Sequence, residues 1–431
     1  MRYESIGKEL FVLNRKRLLK ELLPGSLAVL NANDILPTNS DGTMRFRQNS
    51  DLFYLTGVDQ EETILVLCPD FPEKKYREVL FLRETNEAIA TWEGRKLTRE
   101  EARELTGVQT VVWTSEFPKL FNTMMVMGDV EYVYLNTNDH YRADTEVESR
   151  DARFIRWCRE KYPLHKYERL APLMHKLRVT KSKREIELMQ RAVDITGKAF
   201  RRVLKFVTPG VMEYEIEAEY MHEFLRDGSR GFAYEPIIAS GANSCVLHYI
   251  RNDQVCKDGD ILLLDVGAEY ANYNADLTRT IPVNGKFTRR QKEVYNAVLR
   301  VQRQAIKLLK PGVRYFEYHK EVQKIMESEL IRLKLIAKKD IRNQDPAKPL
   351  FMKYYMHGTG HMLGLDVHDV GSMHHQVKAG MVWTVEPGIY IPDEGLGVRI
   401  ENNVVITARG ADDLMKNIPI EAEEIEELMN A

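Results

Sequence analysis

The sequence predicts a two-domain α/β (α+β) protein, with a mixed α/β N-terminal domain over residues 1–172 and a second domain over 173–431 made of two copies of one helix-helix-β unit. Three observations predict this. The chain has 431 residues, more than the ~100–200 of one ordinary domain. Its pattern of short β-branched runs and charged helical stretches changes near residue 172. Finally, Thr208-Pro-Gly-Val recurs as Lys310-Pro-Gly-Val, which sets Pro209 and Pro311 102 residues apart.

In the first domain the runs at Ser26–Leu30, Thr63–Cys68, Glu78–Leu82, Thr110–Thr114 and Val130–Leu135 are short, β-branched or aromatic, and bounded by Asn, Asp, Gly or Pro, which makes them strands. The second domain opens on a long helix. Ser182 and Glu185 form a capping box, and Ile186, Met189, Val193 and Val203 share one face. Thr288 and Gln291 cap a second long helix in the same way. Each Pro-Gly-Val string lies between two helices, and each helix pair leads to an apolar strand ending in an acid and a glycine: Leu262-Leu-Leu-Asp265-Val-Gly267 and Trp383-Thr-Val-Glu386-Pro-Gly388. A further strand in each half carries another acid, Asp276 and Glu401. Two such units facing each other bring four carboxylates to a shared centre. The basic stretch from Lys338 to Pro346 is expected to be a solvated loop.

Composition excludes several classes of function. Lys and Arg number 62 against 64 Asp and Glu, a net charge of -2, so no charge imbalance points to nucleic acid. Mean hydropathy is -0.40, and apolar runs fall far short of the ~20 residues of a membrane span. The start of the sequence shows no signal-peptide pattern, and Cys68, Cys158, Cys245 and Cys256 form neither a C-x-x-C pair nor a disulfide framework. The expectation is a cytoplasmic protein with its thiols packed in cores, binding neither nucleic acid nor membrane.

Four acids in one poorly solvated centre repel one another and need a cation between them. Two divalent metals would supply +4 against -4, and carboxylates bridge paired metals well. His357-Gly-Thr-Gly-His361 offers a nitrogen ligand, its glycines letting the backbone approach closely. Five of the 11 histidines, His357, His361, His368, His374 and His375, fall between residues 357 and 375, a clustering unlike core packing. His374 and His375 are expected to be surface histidines. Arg399, two residues before Glu401, is expected to orient carboxylates, and Tyr390 to donate a hydrogen bond behind the ligands.

Taken together, Leu-Leu-Leu-Asp265-Val-Gly, Asp276-Leu-Thr-Arg-Thr, His357-Gly-Thr-Gly-His361-Met-Leu-Gly-Leu-Asp-Val-His368-Asp, Val-Glu386-Pro-Gly-Ile-Tyr390 and Gly-Val-Arg399-Ile-Glu401-Asn-Asn resemble the pita-bread metallopeptidases. Within them, Arg47-Gln-Asn-Ser-Asp-Leu-Phe-Tyr-Leu-Thr-Gly and the histidine-rich stretch resemble the Xaa-Pro aminopeptidases. The resemblance runs through both domains in order. It implies that Asp265 binds one metal, that His361 and Glu386 bind the other, and that Asp276 and Glu401 bridge both, with a hydroxide between the metals as nucleophile. Glu386 would also carry the proton to the leaving imide nitrogen. His248, His357 and His368 would hold substrate and stabilise the oxyanion, with Arg399 in support. Mn²⁺ is the expected metal pair. Trp92, in Thr-Trp-Glu-Gly-Arg, matches a tryptophan that reaches a neighbouring subunit's cleft, which implies a homodimer or homotetramer; Asp41 would receive the substrate's α-amine, or else serve as a turn residue before Gly42.

Proline-containing peptides are the implied substrates. An Xaa-Pro bond is a tertiary amide without an N–H and its ring locks φ, so it needs a dedicated pocket. The alternatives are an Xaa-Pro dipeptidase (prolidase), with the same fold and ligands, and a non-catalytic binding protein of the pita-bread fold. A methionine aminopeptidase would be little more than the catalytic half.

Overall fold

A computed structural model describes residues 2–143 and 146–431. The chain divides into two compact units, Ser5–Arg178 and Met1–Glu4 with Val179–Ala431.

The unit Ser5–Arg178 is built on one six-stranded sheet: β1 (Ser26–Asn31), β2 (Ile64–Leu67), β3 (Glu78–Leu82), β4 (Thr110–Trp113), β5 (Tyr132–Leu135) and β6 (Lys166–Arg169), in the order β4-β3-β2-β1-β5-β6. The β1–β2 and β2–β3 pairs are antiparallel and the other three parallel. Helices α1 (Lys8–Leu19), α2 (Ser50–Thr56), α3 (Glu87–Glu93), α4 (Arg99–Thr106), α5 (Phe117–Met127), α6 (Arg150–Lys161) and α7 (Ala171–Arg178) complete it. The five strands read from the sequence are all present. The sixth, Lys-Tyr-Glu-Arg, lies at the sheet edge with mostly exposed residues and so lacks the apolar alternation that marks a strand. Leu27, Val29, Val66 and Phe81 of the sheet bury against Phe117 and Phe121 of α5. The rings of Phe81 and Phe121 each lie 5.0 Å from that of Phe117, and each buried ring is worth about 1.5–3 kcal/mol. Cys68 and Cys158 sit in this core, where burial pushes both thiols up to about 11, so they pack rather than react.

In the unit that holds Val179–Ala431, the two capping boxes form as read. Ser182 and Glu185 exchange hydrogen bonds at the start of α8 (Lys183–Phe206), and Thr288 and Gln291 do so at α10 (Arg289–Leu308). α9 (Glu213–Arg226) and α11 (Tyr315–Arg332) follow their partners across the Pro-Gly turns. Gly210 and Gly312 have φ of +100° and +90°, left-handed values that favour glycine, which is why the string repeats. The stretch expected to be a loop at Lys338 instead holds one exposed helical turn, α12 (Lys338–Ile341), and α13 (Ala422–Met429) ends the unit. Three Lys and Asp residues followed by Ile carry no helical pattern long enough to show this turn in advance.

The strands repeat as well. β7 (Ile237–Ser240), β8 (Ile261–Val266), the short ribbon of β9 (Glu269–Tyr270) and β10 (Tyr273–Asn274), and β11 (Leu277–Pro282) form the first half, with order β11-β8-β7. β12 (Val382–Val385), β13 (Gly388–Ile391), β14 (Leu396–Arg399), β15 (Asn402–Thr407) and β16 (Gly410–Asp413) form the second, with orders β12-β15-β16 and β13-β14. A bridge between Thr278 and Glu401 joins the halves. Asp265 is the penultimate residue of β8 and Glu386 follows β12; Asp276 immediately precedes β11 and Glu401 immediately precedes β15. The four acids thus occupy matched places in the two copies. Among the described residues, no helix is long and apolar enough to cross a membrane.

Candidate active site

The acids meet. Thr278, opposite Asp265 in the β8–β11 ladder, accepts the Glu401 N–H on its carbonyl at 3.0 Å and donates its hydroxyl to Glu401 Oε2 at 2.8 Å. Tyr234 Oη lies 2.6 Å from both Asp265 Oδ1 and Asp276 Oδ1. His361 Nε2 lies 3.4 Å from Asp276 Oδ2 and 3.7 Å from Glu386 Oε1. Ligand atoms of Asp276, His361 and Glu401 all lie within 4.8 Å of one another, and all three residues are buried.

Asn403 fixes Asp276 by accepting its N–H at 3.0 Å and donating back to its carbonyl at 2.6 Å. His361 is held along β12: its N–H donates to Thr384 Oγ1 at 3.0 Å, its carbonyl accepts from Thr384 N at 2.8 Å, and Nδ1 bonds the Met362 carbonyl at 3.0 Å. That last bond leaves Nε2 facing the acids. Gly360 is needed here, because a Cβ at this position would lie 2.0 Å from the Thr384 carbonyl oxygen.

The electrostatics are those of a cation site. Burial raises the carboxyls of Asp276 and Glu401, and neighbouring carboxylates add to the rise. Burial likewise raises Glu386 to about 7, partly opposed by His361. Burial pulls the His361 imidazole down, but the bond to Asp276 and the charges of Glu386 and Asp276 outweigh it and raise the ring to about 9. Among the described residues, the His361 imidazolium and the Arg399 guanidinium face this cluster as cations. Glu401 Oε1 is buried with no hydrogen-bond partner among the described residues. A buried carboxylate oxygen in this setting, beside Asp276 and a neutralisable imidazole, fits a divalent cation.

Arg399 closes β14 and donates from Nη2 to Asp265 Oδ2 at 2.6 Å and from Nη1 to Tyr390 Oη at 2.9 Å. Its Nε lies 3.3 Å from Thr278 Oγ1, the hydroxyl that donates to Glu401 Oε2, so Arg399 touches Asp265 directly and Glu401 through Thr278. Tyr390 Oη lies 2.9 Å from His357 Nε2, and His357 Nδ1 lies 2.8 Å from the Gly358 carbonyl. Burial, with Arg399 nearby, pushes His357 down to about 4. The ring is therefore neutral, with its N–H on Gly358 and Nε2 accepting from Tyr390. His368 is exposed, with its ring 4.4 Å from that of His361. His248 is exposed beside buried Tyr249, and His374 and His375 are exposed.

Asp41 and Trp92 belong to the other unit. Asp41 is exposed in the turn closed by Thr38 and Gly42. Trp92, in its polar, glycine-containing stretch, stands on α3 rather than in a loop and is 88 % exposed. Asn86 caps this helix by accepting from Ile89 N, a start signal masked by the Gly94-Arg that follows. Tyr234 has no counterpart among the residues read from the sequence. It precedes β7 in Gly-Phe-Ala-Tyr-Glu-Pro, a turn with no ligand spacing to mark it. Thr278 and Asn403 were equally silent, although the alternation in Asp276-Leu-Thr-Arg-Thr puts Thr278 on the acid's side of the strand.

Comparison with known proteins agrees with this geometry. Residues 187–408 match the model of metallopeptidase family M24, and residues 11–134 match the aminopeptidase P N-terminal domain. The Xaa-Pro aminopeptidase of Escherichia coli is 36% identical over 99% of each chain. A structure of a putative aminopeptidase P from Bacillus anthracis superposes with a TM-score of 0.90 at 33% identity, over 98% of each chain. Zinc-substituted E. coli aminopeptidase P in complex with product superposes with a TM-score of 0.87 at 35% identity, over 99% of each chain. With both halves of its sequence matched in order and a buried Asp/His/Glu cluster at the junction of its repeated sheets, this chain belongs to metallopeptidase family M24, with an aminopeptidase P N-terminal domain ahead of its pita-bread catalytic domain.

Proposed function

We propose that this chain is an Xaa-Pro aminopeptidase, a dinuclear metal-dependent exopeptidase that hydrolyses the bond between an N-terminal residue and a following proline. The observation that carries the reading is the buried cluster of Asp276, His361 and Glu401, with Glu401 Oε1 unpartnered, in a chain similar along 99% of its length to an Xaa-Pro aminopeptidase. Asp265, Asp276, His361, Glu386 and Glu401 are the residues that would hold the metal, proposed as a pair of Mn²⁺ ions. Bound there, divalent cations would polarise the scissile carbonyl and lower the pKa of an attacking water.

The side chains divide the remaining work. Glu386 takes a proton from the attacking water and delivers it to the proline nitrogen as the C–N bond breaks, so the products are a free amino acid and a peptide with an N-terminal imino group. Arg399 and Tyr234 hold Asp265 in place through one oxygen each. His248, His357 and His368 contact substrate and the developing oxyanion. Because His357 carries its proton on Nδ1, toward Gly358, its Nε2 serves an oxyanion only once it has released Tyr390 and taken up a proton to donate. Asp41 is assigned to the α-amine, and Trp92 to a neighbouring copy's substrate in a homodimer or homotetramer. The compartment proposed is the cytoplasm.

The test is a chelation and length series. Removal of metal abolishes hydrolysis, and Mn²⁺ restores it better than Zn²⁺ or Mg²⁺, as hard oxygen ligands with one imidazole favour. Offered Xaa-Pro, Xaa-Pro-Xaa and a longer Xaa-Pro peptide, the enzyme releases free Xaa from the longer two at comparable or higher kcat/KM. Cleavage of the dipeptide alone would make it a prolidase; full activity in metal-free protein would end the metallopeptidase reading.

A further inference from the structure

Helix α11 carries a group that the chemistry above leaves unused. His319, half-buried on this helix, places Nδ1 2.8 Å from Thr359 Oγ1. Gln323, one turn on, places its amide nitrogen 2.8 Å from His319 Nε2. Thr359 is fully buried, and its Oγ1 also lies 2.8 Å from Tyr355 Oη. Burial pushes the His319 imidazole below its ordinary value, so the ring is neutral and has one N–H to give. With Gln323 donating to Nε2, that N–H is on Nδ1 and goes to Thr359 Oγ1, which also hydrogen-bonds Tyr355 Oη. The bonds form one continuous chain along Gln323, His319, Thr359 and Tyr355.

A second contact runs beside the first. The Tyr315 ring lies nearly parallel to His319 (5.9 Å, 6°) and to Trp383 of β12 (5.6 Å, 12°). The Tyr315 hydroxyl closes on Gly358, where a Cβ would lie 2.7 Å from it. α11 thus grips Gly358 and Thr359 from one side. The β12 segment grips the other, through Glu386 N to the Thr359 carbonyl at 2.9 Å and the Thr384 bonds to His361. Between His357 and His361 stand two glycines, which give the backbone freedom and no side chain to pack. Thr359 supplies the one side chain between the two histidines.

We propose that His319 is a positioning residue: through its bond to Thr359 it sets the backbone of the His357–His361 segment, and so the aim of both histidines. Its kinetic consequence rests on the peptidase reading; its effect on the segment does not.

The experiment uses the full chain and three single variants. His319→Phe keeps the ring against Tyr315 but loses the hydrogen bond. His319→Asn loses the ring but puts an amide nitrogen where Nδ1 stood. Thr359→Val cuts the same bond from the other end. Because a displacement near 1 Å can cost about 10² in rate, H319F and T359V are each expected to lower kcat on an Xaa-Pro-Xaa tripeptide about 10–30-fold, with KM within about twofold. The H319F/T359V double variant is expected to be no worse than either single one, and H319N to stay near wild type. Hydrogen exchange of peptide 355–361 is expected to speed up in H319F and T359V but not in H319N, in metal-free as well as Mn²⁺-loaded protein. Wild-type kcat and exchange in H319F, or losses that multiply in the double variant, overturn the proposal. Should the wild-type chain cut no Xaa-Pro peptide, the peptidase reading fails, and the exchange data alone decide the role of His319.

Discussion

Glu401 shows how much one side chain does here. Its backbone bonds across to Thr278, one carboxylate oxygen accepts the Thr278 hydroxyl, and the other has no partner among the described residues. Glu401→Gln keeps the shape and the Thr278 bond but removes the charge. Metal content, measured by atomic emission after dialysis, is expected to fall below two per chain, and hydrolysis to fall by at least about 10². Tyr234→Phe removes both phenol contacts to Asp265 and Asp276 and is expected to weaken metal affinity about 10–100-fold, read by competition with a chromogenic chelator. In the other unit, Asp151 is raised to about 7 by burial, against the hydrogen bond from Asn31 and with the charge of Asp51 adding to the rise. The folded protein therefore prefers the neutral acid. The resulting stability is full below the unfolded carboxyl's pKa and is lost progressively as pH climbs toward 7. Asp151→Asn should raise Tm at pH 8 and leave it nearly unchanged at pH 4; an equal gain at both would refute the linkage. The acids and His361 were legible in the sequence because their chemistry and spacing are unusual together. Tyr234 was not, since it reaches two ligands from a turn whose own sequence says nothing about metals.

At the scale of elements, capping boxes and strand runs could be read because they are local. Ser182 with Glu185 and Thr288 with Gln291 need only three residues of context, and both helices start where those pairs stand. β6 was illegible for the opposite reason: Lys-Tyr-Glu-Arg becomes a strand through pairing with β5 rather than through its own pattern. The helix bearing Trp92 was hidden by its length of seven residues and by the Gly94 that follows it. The segment His357–His361 shows what glycine contributes to an element. Gly360→Ala forces a Cβ onto the Thr384 carbonyl, so the segment must leave β12 and take His361 with it. The expected outcome is loss of hydrolysis together with loss of bound metal, while circular dichroism keeps its native shape. A variant that still binds two Mn²⁺ with wild-type kcat would show that the close approach is dispensable.

For the whole molecule, the repeat of helices and strands was visible because both halves kept the Pro-Gly turn and the placement of their acids. The contact that joins the halves was not visible, since nothing in the string near Thr278 names Glu401. Assembly is likewise beyond one chain's pattern. The 88 % exposure of Trp92 leaves a large apolar ring facing solvent. If that ring serves a neighbouring copy, the protein sediments as a dimer or tetramer and Trp92→Ala raises peptide KM with kcat little changed. A monomer with unchanged KM would refute it.

The bridge between Thr278 and Glu401 has a consequence for how the molecule forms. β8 and β11 pair across a short connection, whereas Thr278 and Glu401 are 123 residues apart. Closing a loop of that size is entropically unfavourable until much of the chain between has condensed. The first half can therefore present Asp265 and Asp276 early in refolding, while Glu401 and His361 arrive only when the second half docks. Capture of Mn²⁺ becomes a clock for that last event: in stopped-flow refolding, helix signal should recover first and metal uptake should lag behind it.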